Sequence, residues 1–145
     1  MLRSWADKWR ASTRGRPVFE LFPEPDPRVL ALHDGLSKPL SSALIQLQTG
    51  KIALAGYLET FRAAETQECC CSYGRQTVPH ILLRCPIFND IRNDVLFTAG
   101  RESNHINILR SPTHAKNAAE FIIRTRLLGQ FRQVQLPLTT PNSQN

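Results

Sequence analysis

The chain has 145 residues, of which 41% are hydrophobic and 21% charged, and a formal charge of +6. That is one domain's worth of ordinary globular sequence, able to bury roughly two-thirds of the surface its unfolded form exposes, and it excludes a fibrous or wholly disordered protein. No apolar run approaches the ~20 residues of a membrane span, and Arg3, Asp7 and Lys8 interrupt the apolar core a signal peptide needs, so an intracellular protein is expected.

Trp5 and Trp9 are spaced i, i+4, so Leu2 to Ser12 reads as an amphipathic helix with an aromatic stripe that serves core packing. It is also the densest basic stretch, with Arg3, Lys8, Arg10, Arg14 and Arg16. A mitochondrial transit peptide has a similar composition, but Asp7 and the two tryptophans weaken that reading. Thr13 to Pro17 breaks the helix, and Pro23, Pro25 and Pro27 mark an extended connector. A short helix from Arg28 to His33 is expected to turn Val29, Leu30 and Leu32 inward and to end at Gly35. Ser37-Lys38-Pro39 starts the next helix, where Leu40, Ala43, Leu44 and Leu47 recur with helical period before Thr49-Gly50. Ile52, Leu54, Tyr57 and Leu58 supply a further helix, and these two segments together predict a helical hairpin.

A cysteine-rich loop occupies Cys69 to about Val78. Ile81, Leu82 and Leu83 follow as consecutive apolar residues, and Pro86 allows a new helix with Ile87, Phe88, Ile91, Val95 and Leu96 on one face. Asn107 to Pro112 forms a short segment and turn ahead of an amphipathic helix from Thr113 to about Leu128, with Ala118, Ala119, Ile122 and Leu127 buried and Gly129 as its stop. No strand-like alternation and no internal repeat occur. The expected fold is mainly α: a basic amphipathic helix and turn over residues 1–22, a small multi-helix domain with one Cys-Cys-His-Cys zinc loop over 23–132, and a disordered tail over 133–145.

The loop carries the chemistry. Cys69-x-Cys71 is followed after eight residues by His80 and after four more by Cys85. Three thiolates and an imidazole fill the closed tetrahedral shell of a structural zinc ion and leave no position for a catalytic water. Cys69 and Cys71, at i and i+2 of an extended segment, point the same way, and Gly74 lets the loop return. Three thiolates on Zn²⁺ leave a charge of about −1, which Arg75 and Arg84 are expected to offset. Reduced thiols and a satisfied core histidine are the plainer alternative. Disulfides are disfavoured because nothing marks the chain as secreted and neighbouring cysteines bridge only with strain. Cys70 is expected to be a non-ligand.

The run Leu47-Gln48-Thr49-Gly50-Lys51-Ile52, then Tyr57-Leu58, Cys69-Cys70-Cys71 and Gln76-Thr77-Val78-Pro79-His80-Ile81-Leu82-Leu83-Arg84-Cys85-Pro86, resembles the extreme C-terminal region of fungal LINE-type (non-LTR) retrotransposon polyproteins. The resemblance extends to Gly35-Leu36-Ser37-Lys38 upstream and to Ala115-Lys116, Ala118-Ala119 and Leu127 to Phe131 downstream. In that family a reverse transcriptase and a ribonuclease H precede this zinc-knuckle-like segment, whose ligand pattern falls on Cys69, Cys71, His80 and Cys85. Ser72 departs from the glycine that commonly follows the second cysteine, Cys70 is an extra cysteine, and Pro79 stands immediately before the histidine. The resemblance implies nuclear residence and a role in holding RNA or DNA.

Glycine-rich phosphate loops, a Gly-x-Ser-x-Gly elbow, His-Glu-x-x-His and the clustered carboxylates of two-metal chemistry are missing from the sequence, which argues against an independent enzyme and a small-molecule substrate. The first functional reading is therefore a zinc-dependent nucleic-acid-binding module with RNA or DNA as partner, contacted through Lys51, Arg62, Arg75 and Arg84. The second is a zinc-stabilised structural or protein-interaction domain, with a decayed element copy of no selected function included in it.

Overall fold

Prolines and small polar side chains set most of the helix starts in the computed structural model, which describes residues 2–61 and 66–137. Helix α1 (Leu2–Ala11) is followed by α2 (Arg16–Leu21), with Pro17 in its first turn, and the one-turn α3 (Arg28–Ala31). Helix α4 (Lys38–Thr49) starts on Pro39 and ends at Gly50 in the left-handed conformation. Helix α5 (Ala55–Leu58) is one turn continued by a 3-10 turn, Glu59–Phe61. Helix α6 (Val78–Leu83) leads into a 3-10 turn, Pro86–Phe88, the short α7 (Asn89–Ile91) and a π turn, Arg92–Leu96. Helices α8 (His105–Arg110) and α9 (Pro112–Arg124) meet at Ser111, which caps α9 by accepting from the His114 N–H. Among the described residues the only β pairing is a single antiparallel bridge, Glu68 to Arg75, and no helix is long and apolar enough to cross a membrane.

The core lies between α4, α8 and α9. Ala43, Leu44, Ile108, Ala115, Ala118, Ala119, Phe121 and Ile122 are fully buried there, the small alanines letting α9 approach α4 closely. The buried Gln48 side chain donates to the Leu109 carbonyl at 3.1 Å and ties α4 to α8 across 61 residues of chain. Helix α2 packs on α4 and α8, and α6 on α8, which places the cysteine loop at one edge of the same core.

Four expectations are corrected here. The helical hairpin does not form, because α5 is a single turn and α4 packs chiefly on α9. Gly56, in the opening turn of α5, donates its N–H to the Gln76 carbonyl at 3.0 Å, and a Cβ there would sit 2.8 Å from that oxygen. This close approach of α5 to residue 76 needs a residue without a Cβ. Leu30 is exposed while Leu32 is buried, since α3 has only one turn to orient them. Ile87 is exposed, and the buried positions of that face are Phe88, Arg92, Val95 and Leu96. Helix α9 stops at Arg124, short of Leu128: Arg126 takes a left-handed φ of 58° and turns Leu128 back into the core. Val134 and Leu136 also lie against the core, and the Arg124 guanidinium donates to the Pro137 carbonyl at 2.7 Å.

At the N-terminal end Trp5 stacks on Trp9 with ring centroids 5.8 Å apart, and Trp9 meets Phe19 edge-on at 5.7 Å. The Arg16 guanidinium lies 4.1 Å from the Phe19 ring centroid, and the Trp9 indole N–H donates to the Phe22 carbonyl. The aromatic stripe is thereby occupied in joining α1 to α2, although Trp5 remains half exposed.

Candidate metal centre

The loop from Gln67 to Thr77 is built by backbone hydrogen bonds. Gln76 N–H donates to the Gln67 carbonyl and Cys69 N–H to the Gly74 carbonyl, both at 2.8 Å, closing a short hairpin. At its tip Ser72 N–H donates to the Cys69 carbonyl at 2.9 Å, and Ser72 itself has a left-handed φ of 63°. Cys69 and Cys71 therefore converge through a tight turn, not as alternate residues of an extended strand. The turn places a left-handed residue directly after Cys71, a conformation that glycine adopts more readily than serine.

The other two side chains come from α6. Thr77 caps that helix by accepting from the His80 N–H, and Pro79 occupies the first turn, where a missing N–H removes no helical bond. His80 is thus held in the opening turn, and Cys85 follows the last one with its N–H donating to the His80 carbonyl at 2.8 Å. The proline before the histidine belongs to the local architecture.

These elements bring the four side chains together. Cys69 Sγ lies 3.8 Å from Cys85 Sγ, and Cys71 Sγ lies 3.3 Å from His80 Nε2. All four donor atoms fall within 4.8 Å of one another, and all four residues are buried. A tetrahedral ion with metal–sulfur bonds of about 2.3 Å separates neighbouring sulfurs by about 3.8 Å, so the cluster has the dimensions to hold one metal ion. It is the only such group of cysteine, histidine and carboxylate side chains among the described residues. All four cysteines are free thiols, and Cys70 alone of them is exposed.

The donors differ in acidity. Burial opposes ionisation of Cys69, but the Cys71 N–H and the neighbouring thiols outweigh it and hold this thiol below its ordinary value. Burial pushes Cys85 up to about 11. Burial, with Arg84 and Arg92 nearby, lowers His80, which favours the neutral imidazole that a metal ligand must be. The Tyr73 N–H donates to Cys71 Sγ at 3.4 Å.

Beside the cluster opens a groove of about 660 Å³ lined by Tyr73, Arg75, Thr77, His80, Arg84 and Pro86. Tyr73 is 82% exposed, and Arg75 and Arg84 are exposed as well. Arg75 and Arg84 are thus brought to one surface. Lys51 is exposed at the turn after α4 and does not line that groove, and Arg62 lies outside the described residues. Arg92, four residues beyond Phe88 on a buried face, went unnoticed in the sequence; its i, i+4 spacing from Phe88 and its place before Val95 and Leu96 were the available signal.

Comparison with known proteins finds a 93-residue stretch, 64% of this chain, that is 26% identical to the Retrovirus-related Pol polyprotein from type-1 retrotransposable element R1 of Bradysia coprophila. The match takes in 9% of that polyprotein's length, so it concerns a small portion of a much larger protein. No protein-family model matches the chain, and no solved structure matches it. The site and the similarity together define a helical chain with a potential metal-binding Cys₃His cluster, and the particular protein it is similar to is a retrotransposon Pol polyprotein.

Proposed function

We propose that the chain corresponds to the C-terminal cysteine–histidine region of a fungal LINE-type (non-LTR) retrotransposon polyprotein and acts as an intracellular, zinc-dependent nucleic-acid-binding module without polymerase or nuclease chemistry of its own. The observation that carries this reading is the placement of the Tyr73–Arg75–Arg84 groove directly on the Cys₃His cluster, with His80 contributing to both. The donor set suits zinc: three soft thiolates and one imidazole, all buried, leave the ion no open position and make it a structural clamp. Bound there, zinc would join the hairpin tip to both ends of α6 and so fix the spacing of the groove's arginines. Those arginines suit phosphates, and the exposed Tyr73 ring suits an unstacked base.

The test is binding of labelled single-stranded RNA and DNA across a salt series. Wild-type binding weakens steeply with salt, and Arg75→Ala with Arg84→Ala flattens the log–log slope by about 0.7 for each phosphate no longer neutralised. Cys69→Ala with Cys71→Ala abolishes metal retention and weakens RNA binding. Absent or salt-insensitive binding would overturn the reading.

A second reading, a zinc-stabilised structural or protein-interaction domain, has one observation in its favour. Phe88 is buried and Tyr57 borders a different, apolar cavity, which leaves Tyr73 as the single aromatic on the groove. Recovery of one defined protein from RNase-treated extract, without RNA or DNA affinity, would favour it.

A further inference from the structure

Arg92 begins the π turn and is 4% exposed. Its Nε donates to the Leu82 carbonyl at 2.7 Å, and one Nη donates to the carbonyls of Ile81 at 3.0 Å and Cys85 at 2.8 Å. Its guanidinium carbon lies 6.0 Å from the Phe121 ring centroid. Among the described residues no carboxylate pairs with it, the ion pairs there involving Arg10, Arg28 and Arg124. Carbonyl dipoles satisfy its donors, but they leave a full positive charge inside the protein without an anion, an arrangement that burial makes costly.

The metal centre has the opposite imbalance. Three thiolates around a divalent ion leave about one negative charge in a buried shell. Cys85 belongs to both systems, presenting Sγ to the cluster and its carbonyl to Arg92. Arg75 and Arg84, the cations the sequence offers for this role, line the open groove and act through solvent, whereas Arg92 shares the low-dielectric interior with the thiolates. The π turn that starts at Arg92 fits the same picture, since such turns concentrate at functional positions.

We propose that Arg92 is the buried counter-charge of the metal–thiolate centre, so that metal occupancy and burial of the Arg92 guanidinium stabilise one another. The inference rests on the Cys₃His cluster being a zinc site, as proposed for its function. Thermodynamic linkage makes the effect reciprocal: removing the charge weakens metal binding, and removing the metal weakens the hold on Arg92 and the α6 carbonyls it caps.

The deciding experiment measures zinc affinity of the full chain by chelator competition for wild type, Arg92→Lys and Arg92→Gln. Arg92→Gln, neutral, loses affinity by roughly 10–100-fold. Arg92→Lys keeps the charge without the guanidinium fork and recovers most of that loss. Equal losses in the two variants would mean that Arg92 is only a cap on backbone carbonyls and would overturn the proposal, as would unchanged affinity in Arg92→Gln. Should Arg92→Gln fail to fold, Arg92→Lys decides alone: affinity within about tenfold of wild type supports the counter-charge, and a larger loss overturns it. Wild-type chain that takes up no zinc would instead sink the metal-site reading itself, a separate and distinguishable failure.

Discussion

The α4–α8–α9 core and the cysteine loop are held by different means. In the core, leucine, isoleucine, phenylalanine and alanine side chains are removed completely from water, and backbone bonds are satisfied within regular helices. In the loop a single β bridge is the only regular pairing, and Cys70, Ser72, Tyr73, Gly74 and Arg75 are exposed. What points inward from the loop is Cys69 and Cys71. One region is held by apolar burial and the other brings together four donor atoms able to hold a metal ion, so the two are expected to respond to different perturbations.

Loss of the metal is the largest expected effect. Chelation, or Cys85→Ser, is expected to cost several kcal/mol or more of stability, with amide exchange rising first across residues 67–85 and later in α4 and α9. The pH dependence follows from Cys85. Its thiol, pushed up to about 11, is protonated at neutral pH in the metal-free chain, while the ion requires thiolate, so binding displaces a proton. Metal affinity therefore rises with pH, by about tenfold per unit for each proton displaced, and calorimetry in buffers of different ionisation enthalpy detects the release.

Leu44→Ala probes the other region. It should lower unfolding free energy by about 2–5 kcal/mol in denaturant titration while leaving zinc affinity of the folded chain unchanged. A matched fall in zinc affinity would show that core and loop are one cooperative unit. Ser72→Gly sharpens the contrast from the loop side, because glycine relieves the left-handed φ of 63°. A gain of about 1 kcal/mol, read as a raised melting temperature of the zinc-loaded protein, is expected. Cys70→Ser is the smallest change: an exposed side chain outside the cluster should leave metal stoichiometry intact and shift stability by less than about 0.5 kcal/mol.

The sequence made the helical character plain because its signals are local. Leu40, Ala43, Leu44 and Leu47 repeat with helical period, Pro39 and Gly50 bracket them, and α4 runs from Lys38 to Thr49. The four clustered donors were legible for a similar reason, since spacing and residue type carry the chemistry. What escaped depends on contacts distant in sequence. The close approach of Gly56 to the Gln76 carbonyl has no local signal in the sequence. Arg126 gives no sign of its left-handed backbone, since arginine seldom adopts one. Arg92 is hard to single out from the sequence because its partners are main-chain carbonyls, which have no residue type to recognise.

The central claim is that Cys69, Cys71, His80 and Cys85 hold one zinc ion. Native mass spectrometry of the purified chain, before and after mild chelation and beside Cys85→Ser, tests it most directly. The account predicts one zinc per wild-type chain, lost on chelation and missing from Cys85→Ser. A wild-type mass with no metal after incubation with zinc, and with every thiol free to alkylation, would contradict it.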